Sequence, residues 1–443
     1  MKVNHKTLLR LTSGLAAALF FLSACSQQPV QDPGSELNRL AEKYVRLGLE
    51  IGQYDSDFVD AYYGPDSLKP KGKPQATFPK DALIDSVNVL LEQLKPFTTH
   101  DADSVQQRAA WISDQLVAFQ RRIRIFSGEY KSFDEEAAEL FGVRPPAYPE
   151  AHYAQLVAKL DSLLPGDGDI QQRFQDLANR FIIPKEKLDT VFKTTIAESR
   201  KRTLKHYPLP NQENFSLTYV TNKPWSGYNW YKGQYRSEIQ INTDVQIFID
   251  RAIDVGCHES YPGHHVYNAL LEQKLYRDKG WVEISLYPLF SPQSLIAEGS
   301  ANYGIEVAFP GEEKITFTKN RLLPLAGLDT AGIDLYFKAL ELRGQLNFAR
   351  NEAARGLVNK TMTEAQALEY LMKYCLYNRE TAEKSISFIK KYRSYVINYN
   401  YGLELVNKYM EANGGTGQNP DKRWEVFGKL LSNEIRTTQL SGK

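Results

Sequence analysis

Three of the chain's seven histidines fall within eight positions, His258-Glu259-Ser260-Tyr261-Pro262-Gly263-His264-His265. Neutral imidazole is the commonest protein ligand for zinc, and a neighbouring carboxylate can take a proton from the water such an ion activates. The nearest known pattern is His-Glu-x-x-His on a helix, where two histidines one turn apart grip one metal. This chain departs from it: the fifth position is Pro262, and the next histidine comes two residues late.

On a straight helix, His258 and His264 would differ by roughly 240° and face apart. His258 and His265 would share a face, but about 10 Å apart along the axis, a long span for one ion. Pro262 has no N–H to return to the carbonyl of His258, and Gly263 reaches backbone angles closed to other residues. Extrusion of two residues there puts His264 in the place of the missing histidine. His265 would need three extruded. The expected ligand is therefore His264. His265 is the alternative, or a group that orients a ligand or polarises substrate. Cys257 is read as a buried residue, because a helical neighbour of His258 points about 100° away from it.

A second chemical stretch is Ala297-Glu298-Gly299-Ser300-Ala301-Asn302-Tyr303-Gly304-Ile305-Glu306, in a helical pattern bounded by Pro292 and Pro310. Three protein ligands plus an open water position define a catalytic zinc site, and Glu298 is the natural third. Glu306, eight residues on, is expected to orient a ligand histidine. Later in the chain, Tyr399 or Tyr401 could donate to a developing oxyanion, and Arg393 could bind a carboxylate.

The elements that must position these groups are mostly helices. Helical spacing of apolar residues predicts helices over Glu36–Gln53, Lys80–Leu94, Ala102–Ser127, Glu150–Leu164, Ile170–Asn179 and Lys185–Thr203. Breakers such as Pro145-Pro146 and Gly166-Asp167-Gly168 separate them. Alternation over Phe215–Val220 and Ser237–Asn242 predicts strands just before the metal helix. An edge strand there could hold a substrate backbone by pairing. The apolar face Val245, Phe248, Ile249, Ala252, Ile253 and Gly256 then leads to His258. Further helices are expected over Asp334–Leu357, Ala367–Leu376 and Glu383–Tyr395. The expected class is mainly α, with a small β-sheet before the metal-binding helix.

The N-terminus reads as a targeting segment. Lys2, His5, Lys6 and Arg10 precede the apolar run Leu15–Leu22, which is too short to span a membrane. Leu22-Ser23-Ala24-Cys25 follows and resembles the bacterial lipoprotein signal, whose cysteine is lipidated. The expected organisation is a signal over 1–24, a polar tether over 25–35, a helical region over 36–210 and a zinc-binding region over 211–443. The last two are expected to form one large unit.

The 443 residues carry 54 Lys+Arg against 53 Asp+Glu, a balance that gives no footprint for nucleic acid. Beyond Cys25 only Cys257 and Cys375 remain, too few for a disulfide framework.

His258-Glu259-x-x-Pro262-Gly263-His264-His265, followed by Glu298-Gly299-x-Ala301-x-Tyr303-x-x-Glu306, resembles the bacterial "domain of unknown function 885" family. The stretches Tyr54–Pro65 and Tyr399-x-x-Gly402 are similar to it as well. The Gly263-His264 pair also resembles that of Taq-type carboxypeptidases. The resemblance implies a zincin-like, gluzincin-type helical metallopeptidase fold in a lipoprotein. One departure is Ser300, where the family usually has tryptophan; a changed pocket wall is expected there.

The sequence therefore predicts a zinc hydrolase with one Zn2+ per chain held by His258, His264 and Glu298, with Glu259 as general base. Its expected substrate is a peptide or small amide, and its expected place is outside the cytoplasm, lipid-anchored to a bacterial membrane through Cys25. Ser26 after that cysteine favours the outer membrane. The rival readings are a non-catalytic zinc-containing binding lipoprotein and a hydrolase of non-peptide amides. Protein partners are not legible.

Overall fold

The computed structural model describes residues 33–223, 225–244 and 246–440. The signal segment, Cys25 and the tether as far as residue 32 lie outside the described residues. Helix α1 (Pro33–Gly52) buries Leu37, Leu40, Tyr44, Leu47 and Ile51 along one stripe. Strand β1 (Val59–Tyr62) follows, then α2 (Lys80–Thr98) and α3 (Asp103–Phe126). Helix α4 (Phe133–Phe141) is absent from the sequence expectation. Its Ser132 and Glu135 form a capping box, a signal that was present in the sequence. Helices α5 (Glu150–Leu163), α6 (Ile170–Asn179) and α7 (Leu188–Thr203) complete this part.

Strands β2 (Asn214–Val220), β3 (Gly227–Tyr231) and β4 (Arg236–Asn242) form one sheet in the order β2-β4-β3. β2 runs parallel to β4, with Phe215 opposite Ser237, and β3 runs antiparallel, with Asn229 opposite Ile239. The alternation over Ser237–Asn242 therefore belongs to the central strand, and β3 supplies a free edge. Ser237, Ile239 and Ile241 are buried, as alternation requires.

The sheet feeds α8 (Ile249–Glu259), then α9 (His264–Leu271), β5 (Leu286–Pro288), which pairs with β1, and α10 (Pro292–Ala308). The remainder is helical: α11 (Glu312–Phe317), α12 (Leu323–Ala326), α13 (Ile333–Gln345), α14 (Phe348–Val358), α15 (Glu364–Tyr374), α16 (Arg379–Tyr392), α17 (Ile397–Ala412), α18 (Pro420–Leu431) and α19 (Thr437–Leu440). The periodic stretch 334–357 is thus two helices, α13 and α14, rather than one. The class is mainly α with small sheets, as the sequence predicts.

Two apolar cores hold these elements. One joins Tyr44, Phe119 and Phe133 to Leu270, Ile296, Val406 and Phe427. The other joins Phe181, Phe192 and Ile253 to Tyr336, Ala353 and Leu371. Helix α10 is buried around nearly its whole circumference, the signature of a helix at the centre of a domain. It touches α17 backbone to backbone. A Cβ on Gly299 would lie 2.4 Å from the carbonyl oxygen of Gly402, so no larger residue permits this approach. That contact brings the tyrosines before Gly402 against Glu298.

Candidate metal centre

Helix α8 buries Ile249, Ala252, Ile253 and Val255, and this anchoring presents His258 and Glu259 on its last turn. The helix stops at Ser260, whose backbone is non-helical. The chain turns so tightly that a Cβ on Gly263 would lie 1.9 Å from the carbonyl oxygen of His258. Helix α9 then starts at His264. The expected two-residue bulge is instead a break between two helices, with the same consequence for His264. Its Nε2 lies 3.1 Å from Nε2 of His258. Oε2 of Glu298, delivered by α10, lies 3.3 Å from His258 Nε2 and 3.7 Å from His264 Nε2.

These donors fit a divalent ion. A tetrahedral zinc site with bonds near 2.0–2.1 Å separates its ligand atoms by about 3.3 Å. The three groups meet that spacing closely, and no two of their candidate atoms are more than 4.8 Å apart. Oε2 of Glu298 is buried without a hydrogen-bond partner. Such an orphan requires an explanation, and an ion supplies one. Its other oxygen, Oε1, accepts from the hydroxyl of Tyr395 at 3.1 Å.

Asn302 fixes the tautomer of His258. Its amide nitrogen donates to the carbonyl of Tyr399 at 3.0 Å, leaving its oxygen to accept from His258 Nδ1 at 3.0 Å. The lone pair of His258 therefore sits on Nε2, facing His264 and Glu298. Asn302 has the role expected of Glu306. Glu306 instead accepts from the Gly311 amide at 2.9 Å and is 45% exposed. The spacing of eight residues carries it past the site.

The alternative ligand, His265, is buried away from the cluster. Its Nε2 lies 2.7 Å from Glu213 Oε1, and its Nδ1 lies 2.8 Å from the Ser237 hydroxyl. With Nε2–H donated to a carboxylate, Nδ1 accepts from Ser237, and neither nitrogen keeps a lone pair for a metal. Tyr261 and Arg200 also bond to Glu213, so this network pins the loop between the two helices.

Glu259 is 6% exposed. Its backbone carbonyl accepts from Asn229 at 2.6 Å, while its carboxylate has no hydrogen bond or ion pair among the described residues. Burial pushes that carboxyl up to about 7. Tyr399 stands close to both Glu298 and Glu259, and burial holds its phenol protonated. Its hydroxyl also has no hydrogen-bond partner among the described residues.

Two further expectations require correction. Arg393 does not join the site, because its guanidinium is bound at 2.7 and 2.9 Å by the carboxylate of Glu136. Ser300 forms no pocket wall, being fully buried with its hydroxyl on the Ala297 carbonyl. The residue that sequence reasoning missed at the centre is Tyr395, one tyrosine among 26, which only the α10–α17 packing singles out. Cys257 is buried and free, as expected.

No protein-family model matches the chain, and no curated protein matches it. Among solved structures, it is similar to a protein from Shewanella oneidensis described as a lipoprotein of unknown function, at 12% identity and TM-score 0.47, over 82% of this chain and 72% of that one. It is similar to Trypanosoma cruzi metallocarboxypeptidase 1, at 12% identity and TM-score 0.45, over 93% and 96% of the two chains. It is also similar to the M32 carboxypeptidase of Deinococcus radiodurans R1, at 11% identity and TM-score 0.44, over 92% and 93%.

Proposed function

We propose that this chain is a zinc-dependent hydrolase cleaving peptide bonds, with His258, His264 and Glu298 holding one ion and Glu259 as general base. The observation that carries the reading is a three-donor cluster beside an uncommitted buried carboxylate. Structural zinc sites close with four protein ligands, whereas catalytic ones use three and keep a position open. The ion supplies Lewis-acid polarisation of the scissile carbonyl and acidifies the water beside it. Glu259 takes the proton of the attacking water and returns it to the leaving amine, and its burial strengthens it as a base. Tyr399, with a free hydroxyl, donates to the oxyanion as charge develops there. Asn302 and Tyr395 hold the ligands in place.

A purely binding lipoprotein has no need to keep Glu259 out of every ion pair, so its isolation favours the hydrolase. The anchor is the lipid on Cys25, placing the enzyme outside the cytoplasm, with Ser26 favouring the outer membrane. No described helix is long and apolar enough to cross a membrane. Cys25→Ser should abolish lipid labelling; persistent label contradicts the anchor. The function itself is tested by digesting a peptide library with zinc-loaded protein and reading the products by mass spectrometry. Cleavage abolished by chelation and restored by zinc supports it. A fully zinc-loaded protein that cuts no peptide contradicts it.

A further inference from the structure

Asp60 has no role in the chemistry above, yet the fold brings it to the same place. It is the extra residue of a β-bulge: Val59 pairs with Pro288 and Ala61 with Tyr287, two steps on β1 against one on β5. Bulges re-aim side chains and are over-represented beside active sites. The Asp60 carboxylate accepts a hydrogen bond from the hydroxyl of Tyr228 on β3. The preceding residue on that strand is Gly227, where a Cβ would lie 3.1 Å from Oε1 of Glu259. Two consecutive residues of β3 thus lie beside Glu259 and Asp60 respectively. His264 and Glu298 are among the groups close enough to Asp60 to act on its ionisation.

Apart from Glu259 and Glu298 of the metal centre, the acids buried among the described residues are matched, whereas Asp60 is half-buried. Asp55 has Arg122, Glu136 has Arg393, Glu213 has Arg200, Glu272 has Arg277 and Glu283 has Arg108. Asp250 is bonded to Tyr336 and still has Arg251 among its charged neighbours. Asp60 has a neutral phenol as its hydrogen-bond partner and no lysine or arginine in an ion pair among the described residues. Nor does it belong to the three-donor cluster. A half-buried carboxylate without a cation partner is open to one brought from outside. The ring of Tyr228 itself packs against aromatic neighbours, 5.5 Å from that of Trp225 and 4.5 Å from that of Trp230. Such faces attract cations, and Lys232 Nζ already stands 5.5 Å from the ring centre of Trp230.

We propose that Asp60 binds a positively charged nitrogen of the substrate beside the metal centre, with the Tyr228 hydroxyl holding its carboxylate in place. The cation is either the α-ammonium of a short peptide or a basic side chain. The proposal rests on the hydrolase reading for its substrate, though not for its charge.

The test measures binding by calorimetry to the zinc-loaded protein, with cleavage followed on the same samples. The probes are trialanine, which carries an α-ammonium; N-acetyl-alanyl-lysyl-alanine, which carries a side-chain ammonium; and N-acetyl-trialanine, which carries neither. Wild type should bind one of the first two about tenfold or more tighter than the third, the range of a charged hydrogen bond. Which one wins identifies the source of the cation. Asp60→Asn, which can still accept from Tyr228, should keep zinc and lose the preference. Tyr228→Phe, which leaves the charge intact, should weaken the preference. Equal binding of all three probes by wild type overturns the proposal. Loss of zinc from Asp60→Asn also overturns it, because the carboxylate would then be supporting His264. Discrimination without cleavage counts against the hydrolase and leaves the anchor standing; cleavage without discrimination does the reverse.

Discussion

The hydroxyl of Tyr395 donates to Oε1 of Glu298 at 3.1 Å, which leaves Oε2 as the oxygen that faces the two histidines. Removing that donor frees the carboxylate to rotate. Tyr395→Phe should keep the fold and lower zinc affinity by about 10–100-fold, the usual cost of losing a partner that orients a ligand. Zinc titration against a competing chelator measures it. Unchanged affinity would show that α10 alone orients Glu298.

His264 and His265 are adjacent in sequence and opposite in role. His264→Ala should lose the metal. His265→Ala should retain it and lose about 1–3 kcal/mol of stability, because Glu213 and Ser237 lose a buried partner. Metal content and urea denaturation of both variants separate the two effects. Metal lost only from His265→Ala would reverse the assignment.

The network below the site also sets an acid limit. Burial would raise Glu213, but His265, Tyr261 and Arg200 hold its carboxyl down at about 2. Its folded value lies below its unfolded one, so its contribution is present above about pH 4.5 and is lost as pH falls towards 2. Glu213→Gln should therefore be less stable than wild type by roughly 3 kcal/mol near neutral pH, with the gap closing through that window. A gap independent of pH would mean that shape, not charge, is what Glu213 contributes.

Much of this site can be read in the sequence, and the unread parts share a cause. The Pro262-Gly263 pair signals that the helix cannot run on, which is what brings His264 back to His258. Glu298 stands out because small residues surround it. What spacing cannot convey is which helix packs against which. Asn302 rather than Glu306 meets His258 because α17 covers that turn of α10. Arg393 has chemistry suited to a substrate carboxylate, but α4 places Glu136 on it first. The central position of β4 depends on the parallel return of β2, which no local alternation encodes. Asp60 is re-aimed by a bulge whose partner strand lies more than two hundred residues away.

Glu259 carries the catalytic claim. Glu259→Gln is nearly isosteric and should keep the zinc while losing turnover by about 10²–10⁴-fold, the typical worth of a positioned proton acceptor. Zinc content and rate must come from one preparation, on a peptide identified by the library. Undiminished turnover would remove Glu259 from the proton path. Loss of zinc would make it a ligand instead.

The most direct test of the account is the zinc content of purified wild type beside Glu298→Ala. The cluster of two histidines and one carboxylate predicts about one zinc per wild-type chain. It predicts near-complete loss from Glu298→Ala with the fold intact by circular dichroism. A Glu298→Ala protein that still carries a full complement of zinc would contradict it.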